Sequence, residues 1–129
     1  MIPYLLVALG GAVGSVGRYA FGLAAGRLWG DAFPIGTILI NILGSFVIAF
    51  YGALTLPDGP LPASGEMRLL VMVGVCGGFT TFSSFSLQTL LLMRGGLWGA
   101  AAANVLISVA ACLGAAMAGQ AAAMRLGAA

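Results

Sequence analysis

The chain has 129 residues, of which 61% are hydrophobic and 6% charged, with five arginines, three acids, no lysine, no histidine and a net charge of +2. A soluble domain of this length cannot hide so much apolar surface, so the composition is that of an integral membrane protein. Charge this sparse excludes a nucleic-acid-binding face, which needs clustered basic side chains.

The first apolar segment covers residues 2–28. No basic stretch precedes it, so it is expected to remain as a membrane span rather than be removed as a signal peptide. Asp31 and Pro34 mark the connection to the second segment, 35–56, and Pro34 suits a helix entry. Pro57-Asp58-Gly59-Pro60-Leu61-Pro62 is the one turn-rich loop. The third segment covers 69–93, Gly95-Gly96 form a tight connection, and the fourth covers 97–124. Each exceeds the about 20 residues that cross about 30 Å of hydrocarbon as a helix. Residues 1–129 are therefore expected to form a single all-α transmembrane domain of four helices, with both termini on the same side.

The third segment contains Gly77-Gly78-Phe79-Thr80-Thr81-Phe82-Ser83-Ser84-Phe85. Two adjacent glycines weaken a helix, so this helix is expected to be broken mid-membrane at Gly77-Gly78. Broken backbone at that depth is tolerated only where protein buries it or where it lines a polar path. Transporters bind ions and substrates at such breaks.

Polar side chains within the spans fall into stripes. Thr37, Asn41 and Ser45 share one face of the second helix; Thr80, Ser84 and Gln88 follow the break; Asn104 and Ser108 lie on the fourth helix, continued by Cys112. Two readings stand for these stripes: a lined pathway, or interhelical hydrogen-bonded seams. Phe82 and Phe85 lie beside the polar stripe. Their rings either pack against lipid and neighbours or turn electropositive edges toward an anion. Arg18 either snorkels to the interface or sits in an anion-attracting vestibule. Gly10/Gly14, Gly22/Gly26, Gly26/Gly30 and Gly74/Gly78 permit close helix approach, within one bundle or between copies.

Asp31, Asp58 and Glu66 all read as loop residues, which leaves the spans without a carboxylate. Proton-coupled pumps and cation exporters normally need one at membrane depth, so hydroxyls, amides and one arginine favour an anion or neutral solute. Arg68 and Arg125 on one side balance Arg27 and Arg94 on the other, giving no positive-inside preference. This balance fits insertion in both orientations; a count this small also fits an orientation fixed by other factors. Cys76 and Cys112 read as small buried hydrophobes. No nucleophile–base pair points to an enzyme.

The motif in the third span closely resembles the G-G-[LF]-T-T-F-S-[ST]-F signature of the Fluc (CrcB) fluoride channels. The likeness extends to Gly10-Gly11-Ala12-Val13-Gly14 with Arg18, to Gly36-Thr37 with Asn41 and Gly44, and to Asn104-Val105 with Ser108. It implies a fluoride-selective channel that passively exports fluoride across the bacterial inner membrane and so prevents toxicity. It also implies an antiparallel, dual-topology homodimer in membrane lipid, with a structural sodium ion held by backbone carbonyls of Gly77 and Thr80. Phe82, Phe85, Asn41, Ser108 and Arg18 match the family's pathway residues, joined by Thr37, Ser83 and Ser84. Gln88 stands where many members carry glutamate, Ser84 where threonine is frequent, and Asn104 where some carry tyrosine. A proton-coupled fluoride or small-anion transporter and a non-transporting scaffold are the alternatives.

Overall fold

Pro3 sits in the first turn of α1 (Ile2–Trp29), where its missing N–H interrupts no helical bond. The structure, a computed structural model, describes residues 1–127, and its spans are helical apart from a short interruption in the third. α1 ends at Gly30, whose φ of 72° turns the chain while its N–H bonds Gly26 O at 2.9 Å. α2 follows over Ile35–Leu54 behind Pro34. The third span begins with α3 (Gly65–Arg68), continues through a π-helical stretch (Leu69–Cys76) into α4 (Gly77–Phe79), and resumes as α5 (Phe82–Arg94). Gly96, at φ 76°, turns the chain into α6 (Trp98–Gly127). Four helical segments, Ile2–Trp29, Ile35–Leu54, Gly65–Arg94 and Trp98–Gly127, are long and apolar enough to cross a membrane.

Polar side chains move the span ends away from where apolarity alone places them. α2 stops at Leu54 because Thr55 Oγ1 donates to Tyr51 O (2.7 Å), while Arg68 Nη1 donates to Gly52 O (2.9 Å) and Thr55 Oγ1 (2.6 Å). A guanidinium there satisfies terminal carbonyls and opposes the negative end of the helix dipole. The third span starts at Gly65 because Ser64 Oγ accepts from Met67 N–H at 3.2 Å, an N-cap. Glu66 therefore belongs to the exposed first turn of α3 and not to a loop.

Two packing arrangements organise the bundle. α1 lies along residues 69–79, and α2 lies along α6. At the first crossing a Cβ on Gly10 would run into Leu70 O and one on Gly14 into Val75 O. A Cβ on Gly78 would lie 2.6 Å from Gly11 O, and one on Gly74 2.8 Å from Gly10 Cα. The Gly10/Gly14 and Gly74/Gly78 pairs thus bring two backbones into contact. Gly22 faces open space and serves no such contact within the chain. At the second crossing Gly119 faces the Phe46 carbonyl. The buried apolar core is small, chiefly Ala25, Ile38, Ile40, Cys76, Leu92, Ala101 and Ala123. Large apolar residues such as Leu9, Val13 and Val16 face outward, as expected where lipid is the solvent. Cys76 is buried and Cys112 half-buried, both as free thiols.

Gly14→Ala forces two backbones apart and is expected to cost about 1–3 kcal/mol. Gly77→Ala meets nothing closer than 3.9 Å and is expected to leave thermal stability equal or higher. Unfolding of the purified variants in detergent measures both.

Candidate functional site

Gly77 is helical (φ −64°, ψ −37°), and α4 carries the helix on through Phe79. The chain leaves helical space at Thr80 (φ −79°, ψ 157°) and Thr81 (φ −152°, ψ 108°). The break thus falls three residues beyond the expected Gly77-Gly78. Gly78 serves the close approach of α1 instead, and the two threonines supply what a break requires. Thr80 N–H and Oγ1 both donate to Cys76 O, at 3.0 and 2.9 Å, and close α4. Thr81 Oγ1 accepts from Ser84 N–H at 3.1 Å and opens α5 as its N-cap.

Asn41 of α2 completes the arrangement. Its Oδ1 accepts from Thr81 N–H at 2.8 Å and its Nδ2 donates to Thr81 O at 3.0 Å. In an unbroken helix Thr81 N–H would bond Gly77 O, and Ser84 N–H would bond Thr80 O. Side chains take both donors, so the Gly77 and Thr80 carbonyls lose their helical partners. The Thr80 methyl fills the space that a Cβ on Gly44 would need, which lets the break lie against α2.

The remaining polar residues gather in three recesses. Arg18, Thr37 and Ser84 line a vestibule of about 800 Å³, with Arg27 and Asp31 also on its wall. Asn41, Phe82, Phe85 and Ser108 line a second recess of about 420 Å³, together with Ser45. Thr81 borders both. Gln88 joins Thr37 and Asp31 around a third space of about 330 Å³, and its Oε1 is buried with no hydrogen-bond partner among the described residues. The α2 stripe therefore runs from vestibule (Thr37) to break (Asn41) to recess (Ser45). Asp31 is the one carboxylate lining these three spaces.

The Phe82 and Phe85 rings lie 5.2 Å apart between centroids, tilted by 48°. Phe82 is 77% exposed in the single chain, so its side of the recess stands open. Ser83 Oγ lies 3.1 Å from Thr81 Oγ1. Asn104 is 1% exposed, and its Nδ2 donates to Thr89 Oγ1 at 2.8 Å. Thr89 Oγ1 donates in turn to Phe85 O at 2.7 Å, and Ser108 Oγ reaches Asn104 Oδ1 at 3.4 Å. Asn104 is thus an interhelical tie beneath Ser108.

Thr81 and Thr89 are the residues that stripe reasoning passed over. Thr81 carried a usable signal, since a threonine followed three positions later by a polar residue before an apolar run reads as an N-cap. Thr89 lies one position off the Thr80/Ser84/Gln88 stripe and carried none.

The fold and site define a small multi-pass membrane protein whose polar residues run past an interrupted third span. A family model described as CrcB-like protein, Camphor Resistance (CrcB), matches residues 5–120, and the chain belongs to that family. It is 51% identical over 126 residues to the fluoride-specific ion channel FluC of Opitutus terrae, covering 98% of this chain and 96% of that one. It is 57% identical over 112 residues to the fluoride-specific ion channel FluC of Gluconobacter oxydans, covering 86% and 77% respectively. The corresponding protein of Rhodospirillum rubrum is 56% identical over 115 residues, with 87% of each chain covered. The resemblance carried by the third-span motif is borne out.

Thr89→Val strands the buried Asn104 amide and is expected to cost about 1–3 kcal/mol. Thr89→Val combined with Asn104→Leu removes both partners and is expected to recover much of that loss. A double-mutant cycle by thermal unfolding measures the coupling.

Proposed function

We propose that this chain is a passive, fluoride-selective channel of the bacterial inner membrane, working as an antiparallel homodimer. The observation that carries this reading is the polar line from the Arg18/Thr37 vestibule, past Thr81, into the recess lined by Asn41, Ser108, Phe82 and Phe85. Fluoride is small and strongly hydrated, so a selective path must replace its water with donors at successive positions. Hydroxyls of Thr37, Ser83 and Ser84, that of Ser108 once it turns from its long 3.4 Å contact with Asn104 Oδ1, the free hydrogen of the Asn41 amide and the Phe82 and Phe85 ring edges supply such donors. Arg18 raises the local anion concentration at the entrance. None of these groups is a fixed cation deep enough to trap the ion. Flux down a gradient through such a path needs no enzyme chemistry.

Export follows from acid–base chemistry: neutral HF enters from an acidic exterior, dissociates in the cytoplasm, and fluoride leaves through the channel. The names borne by the relatives support fluoride as the ion. The outward exposure of Phe82 supports a second copy that closes the recess, and the balanced arginines support an inverted one.

The Gly77 and Thr80 carbonyls fit a structural sodium ion, because they are oxygen donors released from the helix at a depth without water. Two inverted chains would offer four such oxygens on the dimer axis. The ion would lower the cost of bringing an anion to that depth.

Liposomes holding the purified protein are expected to release fluoride, in preference to chloride, without a proton gradient. Strict dependence on a proton gradient would identify a coupled transporter, and no flux would identify a scaffold. Phe82→Ile or Phe85→Ile is expected to slow fluoride release tenfold or more in an intact dimer; wild-type flux in both would assign the rings to packing. Two or three arginines added at the C-terminus are expected to bias one orientation and lower activity, restored by an oppositely biased copy. Cysteine labelling that finds one orientation in the unmodified protein would refute the antiparallel arrangement.

A further inference from the structure

We propose that Asn41 is a positioning residue that sets the break of the third span: it holds the N–H and C=O of Thr81, which frees the Gly77 carbonyl directly and, by fixing Thr81 as the cap of α5, the Thr80 carbonyl. The glycines do not do this, because Gly77 is helical and α4 continues through Gly78 to Phe79. Adjacent threonines do not end a helix by themselves; their propensity penalty is a fraction of that of glycine or proline. A residue at membrane depth leaves the helical ladder most readily where another group bonds its N–H and its C=O. The Asn41 carboxamide has the same donor–acceptor pair as a peptide, and it meets Thr81 N–H and Thr81 O at 2.8 and 3.0 Å. Thr81 is buried, which leaves its backbone groups little access to water. Gly44, on the same helix, gives the Thr80 methyl the room this pairing requires.

Asn41 also lines the recess with Phe85 and Ser108, and its Nδ2 carries a second hydrogen beyond the one given to Thr81 O. One amide therefore holds the cation-binding carbonyls in place and borders the anion path. Substitution of Asn41 is expected to disturb both, whereas Ser108, which lines the recess without touching the break, reaches only the anion path. The cation part rests on the sodium reading above; the clamp itself does not.

The test uses the full chain in detergent, with two readouts: amide hydrogen exchange over residues 77–84, and the rise in Tm when sodium chloride replaces N-methylglucamine chloride. In the wild type the Thr81 amide is expected to be strongly protected. Asn41→Leu is expected to speed its exchange at least tenfold and to remove at least half of the sodium-linked rise in Tm. Ser108→Ala is expected to retain both properties, whatever its effect on flux. If Asn41→Leu does not assemble, Asn41→Ser, too short to span the peptide, carries the same comparison. Wild-type exchange and sodium response in the Asn41 variant overturn the proposal, as does a wild-type Thr81 amide that exchanges like an unbonded one. A wild type with no sodium-linked rise removes the cation reading alone, and the exchange comparison still decides the clamp.

Discussion

Hydrocarbon offers no hydrogen bonds, so a peptide that departs from a helix within it must find a partner inside the protein. Thr81 makes that departure and Asn41 bonds both its N–H and its C=O. The other features of the site follow from this pairing. Because the backbone is extended at Thr80 and Thr81, the Thr81 hydroxyl caps α5 beside the open space that Thr81 and Ser84 line. Because α5 restarts at Phe82, the Phe82 and Phe85 rings lie on the first turn of a new helix, beside the recess. The interruption converts one long hydrophobic helix into two short ones with polar ends facing each other.

Such an interruption needs rigid flanks, and the bundle supplies them by two different means. On one side the glycines of α1 and of residues 69–79 meet backbone to backbone, so side-chain rearrangement cannot let them slide. On the other side α5 is held to α6 by the buried Asn104–Thr89 bond, which continues to the Phe85 carbonyl. The first is steric and non-polar; the second is directional. Together they hold the two halves of the third span on either side of the gap that Asn41 of α2 reaches.

The four spans were legible because bilayer thickness dictates the length of apolar runs. Their ends were less so, because they are set by caps contributed from elsewhere, as when Arg68 reaches the carbonyl of Gly52. That the third helix would break was expected, though on the strength of glycines that prove helical. Where it breaks was not, because the deciding partner, Asn41, lies 40 residues from Thr81 in the chain. Spacing placed Thr37, Asn41 and Ser45 on one face but could not reveal that they serve three different places. The glycine pairs showed a similar limit: spacing alone did not separate Gly10/Gly14, which make a contact, from Gly22, which does not. The π-helical stretch left no mark in composition at all.

That stretch, Leu69–Cys76, carries more residues per turn than an α-helix and lies one short helix, α4, before the interruption. It is therefore a store of slack in the register of the third span. A chain that lost one residue here could rewind from π to α geometry, leaving the Ser64 cap at one end and the Thr80–Thr81 gap at the other in their present phases, provided Gly74 keeps its place against Gly10. The same change within α5 would have no such reserve, and would rotate Thr89 away from Asn104. The loss of a residue can be absorbed upstream of the gap and not downstream of it.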